Sequence, residues 1–330
     1  MTIQEWTQHW LEAYARPSVR PATLAAYRYI LQNHINPGLG EIELAALMVE
    51  DVSLFLEHCK TSGSHRPESA GYPGLSDETM RHIHRLLYQC LAPAVTQGLI
   101  SENPVGAFRC ARSKPQTHNV LTADEVEVYL DAADELGVLS MFSLELTCGL
   151  RQRELIALKW SDLDVENRTL TVAEQRAVER GKLVEYGMET RTITLTEEVT
   201  ALLSGEHARH PSHPCMFVHP GTLKPYSPNM VRLLHGRVLE RAGLEHLRFV
   251  DLRHTCAALA LKGGAEARTL AAVLGHSRPS DTRQAYKEYL PAKKPEKPVC
   301  NRCAPSVPEL QAAADKIASA LNFACICARN

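Results

Sequence analysis

A polar stretch about one third of the way along the chain constrains the fold most strongly. Residues 110–118, CARSKPQTH, lose the apolar periodicity of the segments on either side. A segment without apolar positions cannot cross a hydrophobic core, so it separates two cores. The length of 330 residues agrees, because chains of this size usually form two domains. We therefore predict an N-terminal domain over 1–110, a linker over 111–118, a second domain over 119–290, and a C-terminal linker and helix over 291–330.

Apolar spacing makes both predicted domains mainly helical. Ser76 and Thr122 read as N-cap residues, since each stands before an acidic first turn. Pro93 is expected to kink the helix that follows Ser76. Between 168 and 195, β-branched residues alternate around two glycines, which predicts a small sheet or hairpins. The predicted fold is mostly α with a small β-sheet, and the N-terminal helices are expected over 2–15, 23–34 and 48–60.

Composition narrows the class of protein. No window reaches the uninterrupted apolar length that a bilayer span needs, and MTIQEWTQHW resembles no signal peptide. We therefore expect a cytoplasmic protein whose ten cysteines are reduced thiols. The net charge of −2 argues mildly against a nucleic-acid partner. Between residues 224 and 253, however, cationic side chains outnumber acidic ones, so a locally basic face remains open.

Four basic residues stand where predicted helices begin or end. They are Arg151 in TCGLRQREL, Arg253 and His254 in DLRHT, and His276 in LGHS. Helix ends expose unpaired backbone groups, and two guanidinium forks can hold two oxygens of one phosphate. Tyr286, ten residues after His276, could then serve as a covalent nucleophile. The plainer alternative is that His276 merely follows a helix end and Tyr286 packs on the core.

Together these segments resemble the tyrosine recombinase family, the phage-integrase-like enzymes, and especially the integrases of conjugative transposons. TCGLRQRELIALKWSDLD is similar to the family's first-arginine box, DLRHTCAALALKGG to its second, and LGHSRPSDTRQAYKEYL to its histidine-to-tyrosine box. LSDETMRHIHRLL followed by GLISENPV is similar to the end of the family's DNA-clamping domain. The resemblance extends to about Leu290. It implies a SAM-like helical N-terminal domain and an α+β recombinase catalytic domain.

The resemblance also implies an activity. Members of the family integrate and recombine DNA, so we expect a bacterial, nucleoid-associated enzyme that assembles as a tetramer on double-stranded attachment sites. An accessory directionality factor is an expected partner. The covalent link that the family forms stores the energy of the broken bond, so no cofactor, ATP or metal is expected.

The resemblance gives the matched residues their roles. Arg151 and Arg253 resemble the arginines that clamp the scissile phosphate, where charge builds up in the transition state. His276 resembles the histidine that hydrogen-bonds this phosphate or the nucleophile. Tyr286 resembles the nucleophile that forms a 3′-phosphotyrosyl link. Tyr289 is the alternative nucleophile, although its spacing from the histidine fits the family less well.

The resemblance also assigns supporting residues, and the sequence departs from the family pattern at two positions. Glu154 resembles the acid that orients the first arginine, and His254 is expected to support the site rather than react. Val250 stands where the family has His or Lys, and Glu185 stands where it has a hairpin lysine. Lys182, three residues earlier, is therefore our candidate for the general acid. The alternative hypothesis is a DNA-binding relative that no longer cleaves, and a metal-dependent nuclease is disfavoured because no carboxylate cluster is evident.

Several cations are candidates for contact with the DNA backbone, where most contacts position the protein rather than read sequence. They are Arg81, Arg85, Lys114, Arg232 and Arg237.

The tail contains an amphipathic helix too short to be stable alone. The family resemblance implies that this helix docks on a neighbouring protomer, with docking on its own domain as the alternative. The pairs Cys300/Cys303 and Cys325/Cys327 raise the question of a structural zinc site. The second spacing is unusual for zinc, so no metal is predicted.

Overall fold

The computed structural model describes residues 1–63, 73–108, 119–179, 181–276, 278–290 and 307–320. The described residues are mostly helical, at 63%, with a small antiparallel sheet. It divides into two compact units, Met1–Gln116 and Thr117–Asn330. The division falls within the predicted linker 111–118, which itself lies outside the described residues. The domain boundaries at the two ends of that linker stay a prediction.

The first unit is built from helices around an aromatic and aliphatic core. The indole nitrogen of Trp6 donates to the Cys90 carbonyl oxygen at 2.9 Å, which joins the first helix to the last long one. Its helices, with the short π and 3₁₀ turns, are α1 (Ile3–Trp10), Leu11–Ala15, Arg16–Ser18, α2 (Pro21–Ile30), Leu31–Ile35, Asn36–Leu39, Leu44–Ala46, α3 (Val49–Ser62), α4 (Asp77–Thr96) and Pro104–Ala107.

Two local expectations for this unit can be compared with the structure. Ser76 is the N-cap of α4, and its hydroxyl accepts from the backbone N–H of Thr79. Pro93 lies inside α4, which continues past it to Thr96. Pro93 has no backbone N–H to bond the Gln89 carbonyl group, yet the helix continues for three residues beyond it.

The second unit carries the sheet and the remaining helices. Thr122 caps its first helix through a bond from the Glu125 backbone N–H, with the Glu125 carboxylate bonded back to the Thr122 backbone N–H. The elements are α5 (Ala123–Glu135), α6 (Leu139–Cys148), α7 (Gln152–Leu155), the 3₁₀ turn Trp160–Asp162, β1 (Leu163–Asp164), β2 (Thr169–Glu179), β3 (Lys182–Thr194), α8 (Glu197–Arg209), α9 (Pro228–Ala242), α10 (Phe249–Lys262), α11 (Ala267–Leu274), α12 (Pro279–Ala285), the 3₁₀ turn Lys287–Tyr289 and α13 (Val307–Ala320).

Helices α6 and α10 form the centre of this unit. Every residue of α6 is buried, which is the pattern of a helix enclosed on all sides. In α10 all but three residues are buried. The arginine boxes follow α6 and lie on α10, so their backbone is held by the densest packing in the domain.

The sheet is an antiparallel meander in the order β1-β2-β3. Val172 pairs with Arg191, but Glu174 pairs with Gly187, so three residues of β3 face Ala173 alone. This irregularity bends β3 between the domain core and the hairpin tip. The tip pair is Glu179 and Lys182.

The C-terminal helix α13 packs on its own domain. Leu310 contacts the core of the second unit, and Lys316 donates to the Gly264 carbonyl oxygen at 2.8 Å. Docking of α13 on its own domain is the alternative given in the sequence analysis. Docking on a neighbouring protomer stays a prediction. The tail cysteines, Cys300, Cys303, Cys325 and Cys327, lie outside the described residues. Among the helices that the structure describes, none is long and apolar enough to cross a membrane.

Candidate active site

Three arginines converge on the C-terminal end of α11. Arg191 donates to the carbonyl oxygen of Val273 (2.9 Å), Arg253 to that of Leu274 (2.7 Å) and Arg151 to that of Gly275 (3.2 Å). A helix leaves its last carbonyl groups without intrahelical partners, and its negative end attracts cations. The end of α11 is therefore the point at which guanidinium groups from three distant segments are gathered.

Glycines make this approach sterically possible. Gly275 ends α11 in the left-handed region (φ 66°), and a Cβ there would lie 3.0 Å from Arg191 Nη1. Gly149 ends α6 with φ 55°, and a Cβ there would lie 2.6 Å from a methyl carbon of Leu274. A side chain at either position would force the backbone and the arginines apart.

Arg253 is the most enclosed of the three guanidinium groups. The residue is only 5% exposed, and its Nη1 donates to the Gly149 carbonyl oxygen at 2.6 Å. Burial, with the neighbouring charge of Arg151, lowers the pKa of Arg253 to about 10. The group still carries its charge at neutral pH, and both of its backbone anchors are fixed.

Glu154 holds the other two arginines. Its carboxylate accepts from Arg151 Nη1 (2.8 Å) and from Arg191 Nη2 (2.7 Å), and it is 1% exposed. Burial alone would raise its pKa, but the bonds from Arg191 and Arg151 outweigh it and hold the pKa below the usual value. Arg151, whose side chain is 46% exposed, is thus oriented by a buried anion while its other face is open to a ligand.

Sequence reasoning missed Arg191. Arg191 begins the segment RTITL at the end of β3, and its guanidinium reaches both Glu154 and the end of α11. The only sign of its role in the sequence was its position near the end of a strand, two residues before the buried Ile193. Its two partners are 37 and 82 residues away, so no local pattern identifies them.

His276 and Tyr286 lie at the same helix end. The hydroxyl of Thr282 in α12 and Nδ1 of His276 are hydrogen-bonded at 2.7 Å. Burial and the charges of Arg253 and Arg151 lower the pKa of His276 to about 4, so its ring is neutral at pH 7. A neutral ring held in this way can donate one hydrogen bond to an anion beside the arginines.

Tyr286 follows α12 and is 1% exposed. Burial raises the pKa of its phenol to about 12, and the nearby charge of Arg253 opposes the rise. Its Oη is hydrogen-bonded to Nδ1 of His254, at 2.7 Å. Tyr289 is half-buried, with Lys262 Nζ 5.5 Å from the centre of its ring.

A basic cleft of about 630 Å³ opens beside the two box arginines. Its floor is apolar, and Val250, which is 45% exposed, lies on its wall. Arg248 lies there too and is held by Asp251 through Nε (2.9 Å) and Nη2 (2.8 Å). The cationic and histidine side chains that line the cleft are Arg151, Arg153, Arg232, His235, His246, Arg248 and Arg253.

The hairpin candidates are not brought to this site. Glu185 accepts from Arg176 Nε (2.8 Å) and from Lys159 Nζ (3.2 Å) in a charge cluster on the hairpin. Lys182 is exposed at the hairpin tip, nine residues along β3 from Arg191. Their partners on β2, Val172 and Glu179, are seven residues apart, so at the usual strand rise the separation is roughly 23 Å, beyond the reach of a lysine side chain.

The candidate DNA contacts are spread over both units. Arg81 is paired with Glu78 on α4, and Arg85 is exposed on the same helix. Arg232 and Arg237 are exposed on α9, and only Arg232 lines the basic cleft. Lys114 lies outside the described residues.

Behind the arginines, α6 buries a second carboxylate. Glu145 is fully buried, and neither carboxylate oxygen has a hydrogen-bond partner among the described residues. Burial raises the pKa of Glu145 well above its usual range, although Arg253 and Arg191 act in the opposite direction. Burial in the folded state therefore favours the protonated form of this carboxyl group.

Replacing Glu145 with glutamine is expected to flatten the pH dependence of stability. A carboxyl group with a raised folded-state pKa keeps its proton in the folded chain, whereas the unfolded chain releases it above about pH 4.5. Wild-type stability should therefore fall as pH rises, by up to about 1.4 kcal/mol per pH unit from this group. The free energy of unfolding in urea at pH 5 and pH 8 measures the difference. Glu240→Gln, at an exposed position on α9, is the control, and identical pH profiles for Glu145→Gln and wild type would contradict the prediction.

Comparison with known proteins agrees with this geometry. Residues 119–292 match the model of the phage integrase family, and residues 2–59 match that of the phage integrase N-terminal SAM-like domain. An integrase of Saccharopolyspora erythraea is 27% identical over 173 residues, which is 52% of this chain but 38% of that protein. A tyrosine recombinase XerC-like protein of Caldanaerobacter subterraneus is 23% identical, covering 89% of this chain and 81% of its own.

Solved structures share the fold. The Tn1549 transposon integrase in complex with a circular intermediate DNA has a TM-score of 0.74 at 18% identity, over 87% of this chain and 95% of that one. A lambda integrase tetramer bound to a Holliday junction has a TM-score of 0.65 at 19% identity, over 85% of this chain and 79% of that one. The family match spans more than half of the chain and includes the arginine cluster, His276 and Tyr286, so the protein belongs to the phage integrase family of tyrosine recombinases, enzymes of site-specific DNA recombination.

Proposed function

We propose that this protein cleaves and rejoins duplex DNA through a 3′-phosphotyrosyl intermediate on Tyr286, without metal or ATP. One observation carries the proposal: Arg151, Arg253 and Arg191 meet at the end of α11, directly before His276, and Arg253 interacts electrostatically with the buried phenol of Tyr286. Phosphodiester cleavage by a phenol needs positive charge around the non-bridging oxygens and a nucleophile beside them. This cluster contains both.

The open face of Arg151 and the free donors of Arg253 hold the non-bridging oxygens of the scissile phosphate. Both guanidinium groups are anchored before DNA binds, Arg151 by Glu154 and Arg253 by two carbonyl groups. Donors fixed in advance stabilise developing charge without reorganising during the reaction. His276, which is neutral at pH 7, adds one further donor.

In the cleavage step Tyr286 Oη forms a bond to phosphorus as the bond from phosphorus to the 5′ oxygen breaks. The energy of the broken phosphodiester stays in the phosphotyrosyl bond, so rejoining is the reverse attack by a 5′ hydroxyl. The arginines supply the charge stabilisation that a metal ion supplies in other phosphoryl-transfer sites. Cleavage should therefore proceed in the presence of a chelator.

The basic cleft is the proposed binding site for the DNA backbone next to the scissile phosphate. Its cations lie over an apolar floor, an arrangement suited to sugar and phosphate contacts. Arg81, Arg85, Lys114, Arg232 and Arg237 are the proposed additional contacts. Each phosphate contact that is lost should lower affinity and reduce its salt dependence.

Assembly and location belong to the same proposal. A tetramer on two duplexes, with a directionality factor that selects the reaction, follows the family pattern. It would operate in the bacterial cytoplasm on nucleoid DNA, and donation of α13 to a neighbouring protomer would join the subunits.

A second function is favoured by two specific residues. Val250 contributes no charge to the cleft, and Lys182 lies at the hairpin tip. Unless the hairpin moves on DNA, Lys182 does not reach the departing 5′ oxygen, and loss of a positioned acid costs about 10²- to 10⁴-fold in rate. A DNA-binding protein that no longer cleaves is therefore the second candidate.

Covalent trapping distinguishes the two functions. Duplexes tiled from the DNA that flanks the gene are nicked, so that a short 5′ product diffuses away and strands the protein on its substrate. We expect a covalent adduct, insensitive to chelator, whose peptide map places the DNA on Tyr286. Adduct on Tyr289 would reassign the nucleophile. Tight binding without an adduct would favour the binding function, and chelator-sensitive cleavage without an adduct would favour a nuclease.

A further inference from the structure

The phenol of Tyr286 is hydrogen-bonded to a histidine other than His276. Its Oη lies 2.7 Å from Nδ1 of His254, and the two ring centres are 5.6 Å apart. His254 follows Arg253 directly on α10, so the helix that clamps the phosphate also places an imidazole against the nucleophile. At the 1% exposure of Tyr286, solvent has little access to the phenol.

A carboxylate stands one helical turn before this imidazole. Asp251 is 1% exposed, accepts from Arg248 Nε and Nη2, and interacts electrostatically with His254. An anion beside an imidazole stabilises the imidazolium that forms when the ring takes a proton. Tyr286 and His254 thus form a hydrogen-bonded nucleophile and base, with the Asp251 carboxylate close enough to His254 to interact electrostatically.

His276 lacks the surroundings of a base. Arg253 and Arg151 act on it as like charges, and its Nδ1 is already bonded to Thr282. A second positive charge there would be unfavourable. Of these two histidines, it is His254 that is hydrogen-bonded to the reacting oxygen.

We propose that His254 is a catalytic residue, the general base that accepts the phenolic proton of Tyr286. The inference rests on the proposed function of Tyr286 as nucleophile. In the step, the proton moves from Oη to Nδ1 as the bond from Oη to phosphorus forms. The bond from phosphorus to the 5′ oxygen breaks, and that oxygen takes a proton from water. The imidazolium then returns its proton to the resulting hydroxide.

The role requires the tautomer of His254 that carries its hydrogen on Nε2, so that Nδ1 accepts from the phenol. In rejoining the steps run in reverse: the ring takes a proton from water, and the protonated Nδ1 gives its hydrogen to Oη as the phosphotyrosyl bond breaks. The hydroxide left by that water accepts the proton of the attacking 5′ hydroxyl. One residue then serves both directions, which a reversible strand transfer demands.

His254→Asn tests the proposal, because asparagine can hydrogen-bond the phenol but cannot take its proton. Single-turnover adduct formation at pH 7 is expected to slow by about 10²-fold or more, with duplex affinity within about twofold of wild type. His207→Asn, which removes a ring stacked on Trp160 outside the site, is the matched control. An unchanged rate in His254→Asn would overturn the proposal.

Two chemical substitutions separate a base from a structural support. Incorporating 3,5-difluorotyrosine at position 286 lowers the phenol pKa, so it should restore most of the rate lost in His254→Asn. A duplex with sulfur in place of the bridging 5′ oxygen has a better leaving group and should leave the defect in place. Relief by sulfur, or failure of the fluorinated tyrosine to relieve the defect, would overturn the base role. A wild-type protein that forms no adduct would instead refute the proposed function.

Discussion

Replacing Tyr286 with phenylalanine is expected to abolish the covalent protein–DNA adduct while leaving duplex affinity within about twofold of wild type. The change removes one oxygen atom, and that atom is the proposed nucleophile. Because the ring stays in its buried place, the arginine cluster and the basic cleft should be preserved. The rate of adduct formation should fall by about 10⁴-fold or more, as losses of covalent nucleophiles do. Single-turnover trapping on the nicked duplex measures the rate, and a mobility shift measures the affinity.

Tyr289→Phe is the matched control, three residues further along the same segment. Its ring is half-buried under Lys262, and its hydroxyl has no assigned role in the site. Adduct formation should continue at close to the wild-type rate. An adduct that survives Tyr286→Phe and disappears in Tyr289→Phe would move the nucleophile to Tyr289.

Helix ends are the features, at this site and elsewhere in the fold, that local sequence could predict. Glycine after an apolar helical run indicates a C-terminus, and Gly275 does end α11. Polar residues before acidic turns indicate N-caps, and Ser76 and Thr122 occupy those positions. These signals depend on neighbours within four residues, so they can be read without knowing the fold.

The convergence of the arginines could not be predicted in the same way. Arg151 and Gly275 are 124 residues apart, and Arg253 and Gly149 are 104 apart. Family resemblance selected Arg151 and Arg253, but it said nothing of the shared set of carbonyl groups that fixes them. That set exists only after α6, α10 and α11 have packed, which is why Arg191 was missed.

Charge burial was also invisible in the sequence. Glu145 and Glu154 stand nine residues apart in the sequence. In the fold, Glu154 has two arginine partners, whereas Glu145 has no hydrogen-bond partner among the described residues. The pKa values of the two groups move in opposite directions as a result. The hairpin presents the same difficulty, because the irregular register after Val172 decides how far Lys182 lies from the core.

Arg253→Lys is expected to slow adduct formation by about 10²- to 10³-fold, although it conserves the charge. The guanidinium of Arg253 joins the carbonyl groups of Gly149 and Leu274 through separate nitrogen atoms, at 2.6 and 2.7 Å. A lysine offers a single nitrogen, which cannot bond both carbonyl groups and face the phosphate as well. Loss of one fixed donor to a developing oxyanion costs this much in enzymes that use such donors.

The same change should also destabilise the folded domain. A buried carbonyl group left without its donor costs about 1–3 kcal/mol, so the urea midpoint of Arg253→Lys should fall. Arg209→Lys, at an exposed arginine on α8 that bonds Glu206, makes the same chemical change without this cost. If Arg253→Lys forms adduct at the wild-type rate, a point charge suffices at this position. The two hydrogen bonds that anchor the guanidinium group at the end of α11 would then serve stability alone. Catalysis by a prepositioned guanidinium group requires that the shape of the group matter as well as its charge.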